Sequence, residues 1–194
     1  MTTRRYLDVG AGARLVRAIG GLDGIEDHHP DLDLRHDGVY ARLVTGTVES
    51  NGLRQRDLEL ARRISAVARE LGLAADPAAV QTVQVSIDAL VSKDVMPFWR
   101  AVLGYEYRAD SPDEDLIDPR GRGASLWFQD MDAPRPQRNR IHIDVWVPHD
   151  HAEARVAAAL AAGGRLVSDR FAPGWWTLAD AEGNEVDVAT WVDH

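Results

Sequence analysis

The second part of the chain contains a pattern of strands and helices that occurs twice. Each copy begins with a strand of alternating apolar and polar residues, continues with an amphipathic helix and ends with three short strands. The predicted elements of the first unit are Val83–Leu90, Lys93–Leu103, Glu106–Arg108, Leu116–Asp118 and Ser125–Gln129, and those of the second are Ile141–Val147, Ala152–Ala162, Leu166–Ser168, Trp175–Ala179 and Glu185–Trp191. This doubled βαβββ unit restricts the fold strongly, because neither copy is large enough to bury its apolar face alone.

Both predicted helices of the repeat have residues typical of helix ends. Ser92 is placed to cap the first helix, and Gly104 follows that helix. Asp150 and Glu153 form a pair like a capping box at the start of the second helix, which ends before Gly163-Gly164.

Three strands of the repeat are predicted to present polar side chains on one face. In Ile141–Val147 the isoleucines and valines alternate with polar and aromatic residues, so the two kinds point to opposite sides of the sheet. The same alternation holds for the first and last strands of the repeat. The residues opposite the apolar face are Gln84, Ser86, Asp88, His142, Asp144, Trp146, Glu185, Asp187 and Trp191. We expect them to line one concave site.

The first part of the chain is predicted to fold as strand, helix, strand, strand and helix. The expected strands are Arg4–Val9, Leu32–Leu34 and Tyr40–Thr47, and the expected helices carry the apolar residues Leu15, Ile19 and Leu22 and then Leu60, Ile64, Val67 and Leu71. The predicted turn between two of the strands is His36-Asp37-Gly38, in which Asp-Gly is a strong hairpin signal. The segment Leu73–Ala79, broken by Pro77, is the predicted boundary between domains of residues 1–75 and 76–194.

Two adjacent histidines, His28 and His29, precede Pro30 in the first domain. Imidazoles titrate near neutral pH and are suited to general acid–base catalysis. The histidine pair, the block Thr47–Leu53 and Asp57 resemble the pterin-4a-carbinolamine dehydratase family over residues 1–73. This resemblance implies that His28 and His29 are catalytic and that the domain self-associates as a homo-oligomer.

The same block departs from the dehydratase pattern at Val48, which occupies the position of the family's third histidine. Valine cannot transfer a proton, and loss of one such group typically lowers a rate by about 10²–10⁴-fold. We therefore expect the dehydration of a 4a-hydroxytetrahydropterin to be weak or lost. Two alternatives stay open: the domain binds a pterin-like heterocycle, or it serves only as an interface or a stabilising unit.

The two motifs Phe98–Gly104 and Asp180–Glu185 resemble a helix end and a turn of the vicinal oxygen chelate superfamily of glyoxalase, dioxygenase and bleomycin-resistance proteins. The expected fold is thus α+β, with a small dehydratase-like α+β domain followed by a paired βαβββ domain with a cupped mixed sheet. The resemblance implies one divalent metal ion (Zn, Ni, Mn or Fe) held by Gln84, His142 and Asp187. The opposite possibility is a metal-free cup that binds an organic ligand. The residues expected to bind substrate are Trp127, Trp146, Asp144 and Trp191.

The composition narrows the functional classes further. The formal net charge of −9 argues against a general nucleic-acid binder, and the absence of cysteine excludes disulfides and thiolate metal sites. No apolar run approaches the ~18–20 residues that span a bilayer, so we expect a cytoplasmic protein with a small-molecule ligand. The leading hypothesis is a lyase-type enzyme of the glyoxalase/dioxygenase superfamily with a degenerate dehydratase-like domain. The alternatives are a sequestering protein of the bleomycin-resistance kind and an active dehydratase.

Overall fold

A computed structural model describes residues 9–43, 45–47, 50–76, 81, 83–134 and 142–192, without the side chains of residues 45–47 and 50–52. The chain divides into two compact units, Met1–Thr82 and Val83–His194. The predicted boundary after residue 75 stays a prediction, because residues 77–80 lie outside the described part of the chain. Among the described residues, no helix is long and apolar enough to cross a membrane.

Over its described residues, the first unit combines two helices with two antiparallel strand pairs. Its elements are α1 (Val9–Gly20), β1 (Asp31–Arg35), β2 (Gly38–Arg42), β3 (Thr45–Thr47), β4 (Ser50–Gly52) and α2 (Gln55–Glu70). The β1–β2 hairpin is confirmed, but Arg35 pairs with Gly38. The turn therefore consists of His36 and Asp37, both within the predicted turn, and Gly38 already belongs to β2. Val9, predicted to end a strand, instead begins α1; the rest of that predicted strand lies outside the described residues.

One apolar cluster holds the first unit together. Its buried members are Leu15, Ile19, Val39, Leu43, Leu60, Ile64 and Ala68. These side chains come from both helices, β2 and the residue that follows it, so the predicted apolar stripes of the two helices meet in this core. Helix α2 starts where the Asp57 carboxylate accepts the Arg54 N–H at 2.7 Å. It ends before Gly72, whose φ of 70° favours glycine.

The second unit contains the doubled βαβββ arrangement. Its elements are β5 (Gln84–Ala89), α3 (Ser92–Leu103), β6 (Glu106–Tyr107), β7 (Asp115–Ile117), β8 (Ser125–Asp130), β9 (Ile143–Trp146), α4 (His149–Ala161), β10 (Arg165–Phe171), β11 (Trp175–Ala179) and β12 (Glu185–Ala189). The strands form two four-stranded sheets with the orders β5-β8-β7-β6 and β10-β11-β12-β9. In each sheet the first strand of the unit pairs in parallel with the last, and the other pairs are antiparallel. The predicted α+β class with mixed sheets is confirmed.

A single core joins the two copies of the repeat. It contains Phe98 and Trp99 from α3, Phe128 from β8, and Val186 and Val188 from β12. The apolar sides of β5, β8, β9 and β12 face this core, as the alternation predicted. Gly164 lies so close to Phe98 that a Cβ atom at this position would come within 2.3 Å of the phenylalanine ring. The second glycine after α4 is therefore required by packing.

The predicted N-terminal caps of the two repeat helices are wrong. Ser92 lies within α3 and donates to Asp130 at 3.2 Å, and the residue at the N-cap is Val91. Helix α4 begins at His149 after Pro148, so Asp150 lies inside its first turn and caps nothing. In both cases the helix starts earlier than the capping pattern indicated. Gly104 does end α3, with a φ of 67°.

Candidate functional site

Three polar side chains of the second unit converge on one face of the sheet β10-β11-β12-β9. Asp144 of β9 and Asp187 of β12 are partners in the parallel register, and His142 lies two residues before Asp144 on the same side. Val186 and Val188, which flank Asp187, are fully buried on the opposite face. The burial of the valines thus fixes which way the aspartate points. We call His142, Asp144 and Asp187 the carboxylate–imidazole cluster, and the face that carries it the open face.

The cluster has the spacing of a metal-binding group. His142 Nε2 lies 3.3 Å from Asp144 Oδ1 and 3.6 Å from Asp187 Oδ2. One ligand atom from each of the three side chains lies within 4.8 Å of the other two. Ligand atoms that share a zinc-like ion at about 2.1 Å are roughly 3.0–3.4 Å apart, so the two histidine–aspartate distances are already close to those around a bound ion.

Asp187 supplies a second observation that fits a cation. Its side chain is only 16 % exposed. Its Oδ1 is buried and accepts no hydrogen bond from the described residues. A buried carboxylate oxygen without a donor is costly unless a positive group satisfies it. One imidazole and two carboxylates are a donor set for a divalent ion of intermediate hardness, whose charge the two aspartates would balance.

Gln84, the third metal ligand predicted from the sequence, has a protein partner. Its Nε2 donates to Asp115 Oδ1 at 3.4 Å, and Asp115 Oδ2 lies 3.8 Å from an Arg108 nitrogen. The cluster includes Asp144, which was predicted to bind substrate, and the role of Gln84 as a metal ligand stays a prediction. Asp115 was missed because β7 has only three residues, too few for an alternation to reveal its faces. Trp127 of β8 is the register partner of Asp115 in this first sheet.

Aromatic side chains extend the open face beyond the cluster. Trp146 and Trp191 are stacked, with ring centroids 4.2 Å apart, and remain 41 % and 74 % exposed. Phe171 and Trp175 form a second stack at 4.3 Å. Trp146 and Trp191 thus occupy the face on which the sequence placed them. The contribution of Phe171 was missed, since β10 carries register irregularities that break the strand alternation.

The first unit holds a separate histidine–aspartate pair. His28 Nε2 lies 2.8 Å from Asp57 Oδ1, and the Asp57 side chain is fully buried. This close approach brings the imidazole of His28 against a buried carboxylate. His29 is exposed, whereas His28 is half-buried. Val48, at the position of the missing histidine, lies outside the described residues.

The fold and the cluster together define a class of protein: a paired βαβββ domain with a histidine and two aspartates on an open sheet face, preceded by a small α+β unit. The family model described as a glyoxalase-like domain matches residues 84–189, more than half of the chain. The chain belongs to this glyoxalase-like domain family. A second model, pterin 4 alpha carbinolamine dehydratase, matches residues 2–67. The predicted fusion is thereby confirmed.

The chain is similar to several solved structures at low sequence identity. A glyoxalase/bleomycin resistance protein/dioxygenase from Alicyclobacillus acidocaldarius is 17% identical, with 58% of this chain and 92% of that chain covered and a TM-score of 0.43. The fosfomycin resistance protein FosX from Listeria monocytogenes is 10% identical, with 57% and 93% covered and a TM-score of 0.44. The hypothetical protein SA1046 from S. aureus is 13% identical, with 57% and 94% covered and a TM-score of 0.44. No curated protein sequence matches the chain.

Proposed function

We propose that the second unit binds one divalent metal ion through His142, Asp144 and Asp187 and uses this site to act on a small molecule as a lyase-type enzyme. The observation that carries the proposal is the buried Asp187 Oδ1, which lacks a donor among the described residues although its partner oxygen lies 3.6 Å from His142 Nε2. Membership in the glyoxalase-like family is consistent with a small-molecule substrate. The first unit is then a degenerate dehydratase-like domain.

The three residues of the cluster differ in how far they are exposed to solvent. Asp187, the most buried of the three, would hold the ion from the sheet side of the site. Asp144 and His142 are each about half exposed, at 48% and 49%, so they complete the site from the solvent side. A bound divalent ion supplies Lewis acidity, which polarises a substrate oxygen and lowers the pKa of coordinated water. The exposed side of the cluster leaves room for a small molecule to approach.

The proposal is tested by metal analysis of the full chain. After dialysis against a chelator, zinc, nickel, manganese and iron(II) are each titrated into the protein by calorimetry. We expect one ion per chain, and His142→Ala should abolish binding while the circular dichroism spectrum stays unchanged. His151→Ala is the matched control, because His151 is exposed and its near charged partner is Asp150 at 3.9 Å. No binding at millimolar metal, or equal binding by His142→Ala, would exclude the metalloenzyme. Tight binding of an organic ligand that is released unchanged would then favour sequestration.

We infer a second, weaker activity for the first unit, because His28 is held by a buried carboxylate at 2.8 Å. An oriented imidazole can give or take a proton during loss of water from a 4a-hydroxytetrahydropterin. With valine at position 48, we expect a slow rate that His28→Ala removes and Val48→His raises. His36→Ala, a change at an exposed turn, is the control. A wild-type rate equal to that of His28→Ala leaves the unit without catalytic function.

A further inference from the structure

The aromatic side chains of the open face lie in one row across the sheet. Trp175 pairs with both Phe171 of β10 and Ala189 of β12, and Ala189 pairs with Trp146 of β9. Trp191 continues the line of β12 and stacks on Trp146. We call Phe171, Trp175, Trp146 and Trp191 the aromatic row. The small side chain of Ala189 lies in the middle of this row.

Much of this aromatic surface is open to water. Phe171 is 50 % exposed, Trp146 41 % and Trp191 74 %. Single exposed apolar residues are ordinary, but two stacked aromatic pairs on one sheet face are the kind of grouping that marks a binding surface. Stacked aromatic rings prefer planar partners, and each aromatic contact adds free energy beyond the area it buries. A ring-bearing ligand fits this surface.

The aromatic row and the carboxylate–imidazole cluster share the open face at a fixed separation. Ala189 and Trp146 follow Asp187 and Asp144 by two residues on their strands, and both pairs are register partners. Two residues of a strand correspond to about 7 Å along the sheet. The backbone therefore sets the distance between a group bound at the cluster and a ring bound on the row.

We propose that the substrate is a molecule with a chelating oxygen end at the cluster and a ring on the aromatic row, about 7 Å apart. This inference rests on the metal site of the proposed function and narrows its substrate class. It excludes small dicarbonyl compounds, which have no ring. It also excludes single-ring diols, whose oxygens are attached directly to the ring. Fused polycycles and ring-bearing hydroxy or keto acids have the required length.

A series of phenyl-substituted hydroxamic acids tests the separation. Their hydroxamate group chelates a metal through two oxygens, and the chain between this group and the phenyl ring is lengthened from none to four methylenes. Binding to the zinc-loaded full chain is measured by calorimetry. We expect an optimum at two or three methylenes, about tenfold tighter than benzohydroxamic acid, since two ring contacts of the usual size give a gain of this order.

Two variants connect that optimum to the aromatic row. Trp191→Ala and Trp146→Ala should each weaken the best probe by about three- to tenfold and flatten the dependence on chain length, without changing zinc affinity. Tyr107→Ala removes an aromatic residue of similar exposure, 40 %, from β6 of the other sheet and should change nothing. Trp191 follows the last strand and is highly exposed, so its variant keeps the fold even if Trp146→Ala does not.

Each outcome separates this inference from the proposed function. If zinc binds and the series shows no optimum, or if both tryptophan variants leave it unchanged, the substrate class is wrong while the metal site stands. If zinc does not bind, the proposed function fails first. Sedimentation velocity tests whether a second copy of the chain binds the aromatic row. If the wild type is a dimer and Trp191→Ala is a monomer, a second copy covers the row, and the inference is wrong.

Discussion

In the first βαβββ unit Asp118 holds the turn before the last strand, and in the second unit Asp180 holds the corresponding turn. Asp118 accepts the N–H groups of Arg120, Arg122 and Gly123 at 2.8–3.0 Å. Asp180 accepts two backbone N–H groups of its own turn at 2.9–3.0 Å and, in addition, Trp99 Nε1 at 2.9 Å. An aspartate that accepts backbone N–H groups closes the corresponding turn in both βαβββ copies. Asp180 is in addition bonded to Trp99 of α3, the helix of the other copy.

The faces of the two sheets also differ in whether an aspartate on the face has a partner within the protein. In the first sheet the carboxylate of Asp115 has Gln84 and Arg108 as partners. In the second sheet Asp187 Oδ1 is buried without a donor from the described residues. Repeating a fold therefore does not repeat a site. The two faces differ in whether a protein group is bonded to the carboxylate. Substitutions that remove the contacts on each side of this comparison are expected to have effects of different size.

The largest effect is expected from Asp180→Ala. The substitution leaves the buried Trp99 Nε1–H and the part-buried donors of Glu182 and Asn184 without their acceptor. We expect a loss of about 3–5 kcal/mol in the free energy of unfolding, since one buried and two part-buried donors lose their hydrogen bonds at once. Urea denaturation followed by tryptophan fluorescence measures it. Asp118→Ala, whose acceptor role is confined to one exposed loop, should cost far less. Equal losses for the two variants would mean that the hydrogen bond between Asp180 and Trp99 of the other βαβββ copy does not contribute to the free energy of unfolding.

The next effect concerns the two sheet faces. Asp187→Asn keeps the shape of the side chain but removes its charge, and we expect metal affinity to fall by more than about 100-fold, because removing even an outer-shell partner costs 10–100-fold. Asp115→Asn is the matched change on the first sheet and should leave metal affinity unaltered. Calorimetric titration of zinc into both variants provides the measurement. An undiminished affinity for Asp187→Asn would place the metal elsewhere.

A smaller effect is expected at Gly164, the second glycine after α4. Gly164→Ala would bring a Cβ atom within 2.3 Å of the Phe98 ring. Overpacking of this kind typically costs about 1–3 kcal/mol, which thermal or urea unfolding detects. Gly20→Ala is the control, because a Cβ at that position meets no atom within 4 Å. If Gly164→Ala is as stable as wild type, α4 can shift away from Phe98, and the second glycine is not required by packing.

Residue alternation predicted the strands of both repeat units because it reports directly which side chains a sheet buries. It also placed His142 and Asp187 on one face, since Val186 and Val188 are apolar on both sides of Asp187. The helix caps failed for a physical reason: the Ser92 hydroxyl bonds to Asp130, 38 residues away in the chain, and local sequence carries no sign of that contact.

The membership of the cluster was harder to predict than its strands. Gln84 bonds to Asp115 across the first sheet, 31 residues along the chain, so its local pattern could not show that a partner was present. Asp144 was placed on the correct face, but only side-chain geometry reveals that its carboxylate comes within 3.3 Å of His142. Phe171 lies where the pairing of β10 with β11 is irregular, and alternation cannot assign a face there.

The smallest expected effect returns to Asp118 and appears as a pH dependence. Burial raises the pKa of this carboxyl, but the three backbone N–H donors and the Arg120 side chain outweigh it and lower the pKa from 3.8 to about 2. Because the folded pKa is depressed, the stabilisation is fully present above pH ~4 and is lost as the pH falls toward about 2. Solvent around the loop screens the interaction, so we expect about 1 kcal/mol at neutral pH.

Asp118→Asn has no charge to protonate and should lack this segment of the pH profile. The difference in the free energy of unfolding between wild type and Asp118→Asn should therefore be constant above pH ~4 and shrink steadily below it. Urea titrations at several pH values between 2 and 7 measure the difference, with Asp113→Asn, a change at a side chain 72% exposed, as the control. A difference that is independent of pH would show that the turn is held by the shape of the side chain and not by its charge. The negative charge of Asp118 would then not be what stabilises the turn of the first βαβββ copy.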